Sequence, residues 1–254
     1  MVELPAEIVP VLDRLVPAIH GALGQRVRSI VLWGSAALGD YRPGRSDVDL
    51  IVGLDADPDP ETVSLLGPVH DGLVAAMPAF RDRVEVAYVG LASLAAFRAR
   101  PHTIARISPG EPLNLRTADG AWLIDWFQAG TTGVALHGPA ASTVMPHVSA
   151  DEVRAEAARQ LQRDIAIPDD AAPGTLAYIV LRACRALHAV DRGTQASKAG
   201  AGGWLAARNA PWSSLIEAAT LTNDGGSPSV PLTMVEVERF LAWARQAADR
   251  PCAT

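Results

Sequence analysis

Only two cysteines, Cys184 and Cys252, occur in the 254 residues. Two thiols cannot build a disulfide framework, and these two have no metal-ligand spacing, which excludes a small stapled fold and a cysteine metal module. The six histidines, His20, His70, His102, His137, His147 and His188, are scattered without a close pair, so no zinc site is expected. Lysine and arginine form no run, and the net charge is −6. A protein that grips a phosphate backbone carries a basic stripe, so nucleic acid is excluded as a partner. No stretch approaches the ~20 uninterrupted apolar residues of a membrane span. The N-terminal MVELPAEIVPVLDRLVPAIHGALGQ has neither a basic n-region nor a cleavage-type site, and a cytoplasmic protein without membrane attachment is expected. What remains is an ordinary globular composition, 49% apolar, long enough for one large domain or two smaller ones.

The informative stretch is Ser29 to Leu54, SIVLWGSAALGDYRPGRSDVDLIVGL. Ile30 to Trp33 and Val48 to Val52 are β-branched and aliphatic runs bounded by Gly, Pro and Ser, and read as short strands. The first ends in Gly34-Ser35. The second opens on Asp47 and carries Asp49, and residues i and i+2 of a strand share a face about 7 Å apart. Two like charges converging on one point need a cation between them or water around them. Mg²⁺ fits, since it takes one or two carboxylates together with the oxygens of a substrate phosphate. Gly34-Ser35 suits the phosphate side, because glycine permits close backbone approach and Ala36-Ala37-Leu38 opens a helix. A lone Asp-x-Asp is usually a solvated strand face and a lone Gly-Ser merely a turn. A Walker loop fails, because Asp40 stands where lysine is required.

The joint pattern, Gly34-Ser35 followed by Ser46-Asp47-Val48-Asp49-Leu50, resembles the nucleotidyltransferase superfamily that includes DNA polymerase β, the poly(A) polymerases and small antibiotic-modifying adenylyltransferases. That superfamily carries a third carboxylate on a following strand. Glu85, in the alternating run Arg83 to Val89, takes this position.

Elsewhere in the first half, Ile8, Val11, Leu12, Leu15, Ile19 and Leu23 predict a packing helix that ends at Gly24 despite Pro10 and Pro17. Asp55, Asp57 and Asp59 alternate with proline and alanine and read as a turn rather than a metal site. A helix is expected over 62–77 and a short one over 93–100. The pattern from Pro101 to Arg116 is weak, and 117–120 reads as a turn. Trp122 and Trp126, one turn apart, suit either core packing or the wall of a substrate cleft beside Asp125. Val134 to Pro139 reads as a last strand. Periodicity is lost from 139 to 149, which predicts two domains, 1–145 and 146–254.

Beyond that boundary the pattern is helical: 151–165, 175–192, 198–209, 212–221 and 233–249 all suit amphipathic helices, with Ser149 and Glu152 as a capping box. On the 175–192 helix, Arg182, Arg185, Ala189 and Arg192 share a face. This is a solvated basic face, or a surface that neutralises phosphates. Cys184-Arg185-Ala186-Leu187, then Gly193 and Ser197-Lys198, resembles the C-terminal helical domain of the streptomycin- and spectinomycin-type aminoglycoside adenylyltransferases.

The resemblance implies an α+β nucleotidyltransferase domain, a mixed sheet with flanking helices, plus a C-terminal helical bundle. It further implies Mg²⁺ on Asp47, Asp49 and Glu85, and ATP held by Gly34, Ser35, Ser46, Arg185 and Lys198. Glu85 would accept the proton of a hydroxyl on an aminoglycoside-like acceptor. A monomer is expected, though no residue pattern sets the oligomeric state. One departure concerns the acceptor. Streptomycin-type members place a tryptophan and acids before the arginine-bearing helix, whereas 164–173 reads DIAIPDDAAP and no tryptophan occurs between Trp126 and Trp204. Asp169 and Asp170 suit a cation-attracting role or a loop. Two other readings follow: a nucleotidyltransferase of a metabolite or protein, and a nucleotide sensor without turnover.

Overall fold

The computed structural model describes residues 4–163 and 165–249; Asp164 and Cys252 lie outside them. The chain divides into two compact units, Met1–His147 and Val148–Thr254. The first contains α1 (Val9–Leu23), β1 (Val27–Trp33), α2 (Gly34–Leu38), β2 (Val48–Leu54), α3 (Pro60–Ala76), β3 (Val84–Gly90) and α4 (Leu91–Ala95). β4 (His102–Ser108), β5 (Glu111–Ala118), α5 (Leu123–Thr132), β6 (Val134–His137) and α6 (Ala141–Val144) follow. The strands form one mixed sheet in the order β5-β4-β3-β2-β1-β6. β2 and β3 run parallel, which requires a crossover, and α3 supplies it. The other neighbouring pairs are antiparallel.

The period of two along each strand decides where the site can form. Ile30, Leu32, Leu50, Val52, Val86 and Tyr88 face one way, into a core with Val11, Leu15 and Ile19 of α1 and Leu66 and Leu73 of α3. Their alternates Trp33, Asp49 and Glu85 therefore lie on the opposite face. Within the core, His70 Nε2 of α3 lies 2.8 Å from the Tyr88 hydroxyl. Burial pushes the His70 pKa down to about 4, so the imidazole is neutral at pH 7.

Three local expectations differ from the structure. Thr117 and Ala118, read as part of a turn over 117–120, end β5 and pair with Thr103 and His102. The weakly patterned stretch after Pro101 is the β4/β5 hairpin, turning at Pro109-Gly110, a pair suited to the centre of a tight turn. The helix expected over 93–100 is only α4, one turn long. The acidic loop is a turn: Asp59 caps α3 by accepting from Thr62 N at 2.8 Å, and Asp57 accepts from the Ser93 hydroxyl at 2.8 Å.

The second unit contains α7 (Ala150–Gln162), α8 (Pro173–Arg192), α9 (Lys198–Ala206), α10 (Ala210–Asn223) and α11 (Met234–Ala248). Ser149 and Glu152 cap α7 reciprocally. The helices close around Leu176, Val180, Leu187, Leu205, Ile216 and Phe240. No helix among the described residues is long and apolar enough to cross a membrane.

Candidate active site

β1 delivers the chain to Gly34, where it turns sharply into α2 with φ at +68°. Only glycine takes that conformation without strain. A second constraint coincides with the first: a β-carbon at Gly34 would overlap Asp49 Oδ2 and lie 2.7 Å from its Cγ. Asp49 is paired with Trp33 across β1/β2 and with Glu85 across β2/β3. Gly34, Asp49 and Glu85 thus follow one another along the same end of three neighbouring strands. Asp47 immediately precedes β2, and Ser35 sits in the first turn of α2; both are half-buried.

The loop that carries Asp47 is fixed by residues that no motif marks. Arg83 donates to the Ser46 carbonyl at 2.8 Å, to the Tyr41 hydroxyl at 2.8 Å and to Glu7 Oε1 at 3.0 Å. Glu7 also accepts from Gly44 N at 2.9 Å and from the Tyr41 hydroxyl at 3.0 Å. Burial alone would raise the Glu7 pKa, but its bonds to Arg83, Gly44 and Tyr41 outweigh it and hold the carboxyl below its ordinary value. Burial and the Glu7 carboxylate push the Tyr41 phenol up to about 12. The Ser46 hydroxyl accepts from Arg42 N at 2.9 Å, so Ser46, expected at the nucleotide, closes the loop. Arg83→Ala is expected to destabilise the fold by about 2 kcal/mol and to slow turnover by ~10-fold through a looser Asp47. Urea unfolding and steady-state rates on one preparation check both; unchanged turnover would exclude the anchoring role.

The three carboxylates read as a metal set lie at one end of the sheet, Asp49 in register with Glu85 and Asp47 just before β2. Among the described residues, no group of three or more His, Cys, Asp or Glu side chains is placed to hold a metal ion. Glu85 is turned to a cation of the chain itself: Arg106 Nη2 donates to Glu85 Oε1 at 2.9 Å. Asp49 against Gly34, with Asp47 two residues before it, still provides hard oxygen donors beside a backbone that excludes a side chain. That chemistry suits Mg²⁺.

Trp122 and Trp126 are stacked, with centroids 5.2 Å apart. Trp126 is fully buried and belongs to the core, while half-buried Trp122 lies beneath Arg106. A cleft of about 470 Å³ opens where Asp71, Arg81, Asp82, Ser108 and Glu111 meet, and Gly34, Asp47, Asp49 and Glu85 do not line it.

In the helical unit Arg185 and Lys198 are both half-buried, and Ala189, expected on an exposed basic face, is fully buried. Arg192 is exposed beside Asp191 at 2.9 Å. Lys198 is the single lysine of the chain. It opens α9 just after the cap Ser197, with Nζ 5.0 Å from the Tyr178 ring centroid.

Residues 17–88, which carry Gly34-Ser35, Asp47, Asp49 and Glu85, match the family described as nucleotidyltransferase domain. This segment is similar to nucleotidyltransferase domains. The match covers under a third of the chain and carries the residues from which a nucleotidyltransferase activity is proposed below. No curated protein matches it. Among solved structures it is similar to spectinomycin adenyltransferase AAD(9) from Enterococcus faecialis, solved with ATP and spectinomycin. The TM-score is 0.74 at 15% identity, over 94% of this chain and 98% of that one. The likeness extends the shared fold from the nucleotidyltransferase domain through the helical unit.

Proposed function

We propose that the protein is an ATP-dependent O-adenylyltransferase that moves AMP to a hydroxyl of an aminoglycoside or aminocyclitol-type antibiotic. The observation that carries the reading is the Asp49 carboxylate packed on Gly34, with Glu85 beside it on the next strand. The AAD(9)-like fold of both units supports the choice of acceptor class.

In this reading Asp47 and Asp49 hold Mg²⁺, which when bound offsets the charge of the triphosphate. Gly34 and Ser35 allow the phosphates close to the backbone, and Arg185 and Lys198 neutralise them. Glu85 takes the proton of the acceptor hydroxyl. The acceptor oxygen bonds to the α-phosphorus as the bond from that phosphorus to the bridging oxygen breaks, and the electron pair leaves with pyrophosphate. Rate enhancement comes chiefly from positioning and charge neutralisation.

Pyrophosphate release from ATP and Mg²⁺, measured across a panel of aminoglycosides and aminocyclitols including spectinomycin with Asp49→Ala as blank, tests the reading. Release that depends on one compound supports it. Silence across the panel overturns the antibiotic acceptor. Glu85→Gln is expected to lower kcat by about 10²-fold while ATP affinity stays unchanged; wild-type turnover would remove Glu85 as the base. Because Lys198 is the single lysine, saturating ATP should protect one internal amine from acylation, read by peptide mass; no protection would take Lys198 off the phosphates.

A second reading, transfer to a metabolite or a protein, is favoured by the lack of any tryptophan between Trp126 and Trp204. Labelling of a purified protein from ATP, with no small acceptor present, distinguishes it.

A further inference from the structure

Arg106 meets Glu85 only through the sheet. On β4 it lies opposite Ala87 of β3, one diagonal step from Glu85, within reach of a long side chain. Its bond to Glu85 uses Oε1 alone. The guanidinium is fixed from two further sides: Glu111 Oε2 lies 3.9 Å from Nη1, and the Trp122 ring lies 5.3 Å from Cζ. Glu111 is itself tied down, accepting from Arg116 at 2.7 Å and from the Ser108 hydroxyl at 3.2 Å. Arg106 and Glu85 are only 25% and 19% exposed, so salt screens the pair weakly.

We propose that Arg106 is a positioning residue for adenylyl transfer, holding Glu85 by one carboxylate oxygen and leaving the other for the acceptor hydroxyl. The proposal rests on the reading of Glu85 as the base. A glutamate at the end of a strand has several side-chain rotamers, and a base contributes only when its oxygen is within hydrogen-bond reach of the proton it takes. A planar guanidinium suits the task. It offers one nitrogen to Glu85, another towards Glu111 and a flat face to Trp122, whereas a lysine offers a single point charge.

Arg106→Ala is expected to lower kcat by ~10- to 100-fold and to leave KM for ATP unchanged, as for a displaced reacting group. Arg106→Lys should recover part of the loss, and Glu111→Gln should lower kcat in the same direction but less. The deciding experiment is a double-mutant cycle of kcat on the full chain: wild type, Arg106→Ala, Glu85→Gln and the pair. If Arg106 acts through Glu85, its removal is silent in the Glu85→Gln background. An equal fold loss in both backgrounds, or no loss in the single variant, overturns the proposal. If Arg106→Ala does not fold, the same cycle is run with Arg106→Lys. Failure of the functional reading looks different: wild type releases no pyrophosphate with any acceptor, or Glu85→Gln alone turns over at the wild-type rate, and the positioning role falls with it. An Arg106 failure by itself leaves Glu85→Gln slow and the cycle additive.

Discussion

Alanine at position 34 is expected to stop the proposed adenylyl transfer as completely as Asp49→Asn, each lowering kcat/KM by roughly 10³-fold. Two independent effects act at this position. A β-carbon in the left-handed region, where Gly34 sits at +68°, costs about 1–2 kcal/mol. The same carbon overlaps the Asp49 carboxylate, so either the aspartate or the β1/α2 turn must move. A displacement of about 1 Å at a reacting group already costs ~10²-fold, and here the displaced group is a proposed metal ligand. The fold should survive in both variants, as read by circular dichroism. Gly72→Ala is the matched control: it lies in α3 with open space around the added carbon, and should keep full activity. If Gly34→Ala retained a tenth of wild-type turnover, the close contact between Gly34 and Asp49 would have no catalytic meaning.

Stability should fall on mild acidification, with a large share from His70. Its folded pKa of about 4 lies below the ordinary value of 6.5, first because it is buried. The unfolded chain therefore binds the proton more readily. Stability is full above pH 6.5, falls as pH drops towards 4 and levels off below that. Between pH 7 and pH 5 the expected loss is about 2 kcal/mol, and over the whole window about 3 kcal/mol. His20, His102 and His188 are also depressed, chiefly by burial, and add a slope of the same sign. His70→Gln isolates the contribution, since an amide can still bond Tyr88 but does not titrate in this range. Urea unfolding at pH 7 and pH 5 should show a smaller difference for His70→Gln than for wild type. Equal differences would mean that His70 is protonated in the folded protein without penalty.

Much of the fold is legible along the chain because its elements carry strong local signals. The apolar spacing of α1, the bounded apolar runs of β1 and β2, the alternation in β3, and the Ser149–Glu152 capping box all report on neighbours within a few residues. The β4/β5 hairpin has the signal of its Pro109-Gly110 turn but a diluted pattern, because β5 packs only in part: Leu115 and Arg116 are exposed. The helix expected over 93–100 overran because a run of alanine and leucine suits a helix without stating where it stops.

The proposed chemistry divides in the same way. Gly34-Ser35, Asp47 and Asp49 are spelled out within sixteen residues, since a turn and the strand that follows it bring them together. The family resemblance marks Glu85 as an acid on a following strand and Lys198 as a cation beyond the turn at Gly193, while helical spacing places Arg185 on the basic face of its helix. Partners distant in the chain were decided by the tertiary structure alone. Glu7, Tyr41 and Arg83 meet behind the Asp47 loop across 76 residues of sequence, and Arg106 reaches Glu85 only because β4 pairs with β3 in one particular register. Side-chain type and spacing determine which groups are present and which face of a strand they occupy. Which cation a carboxylate meets depends on strand order and register, and those follow from the packing of the whole sheet.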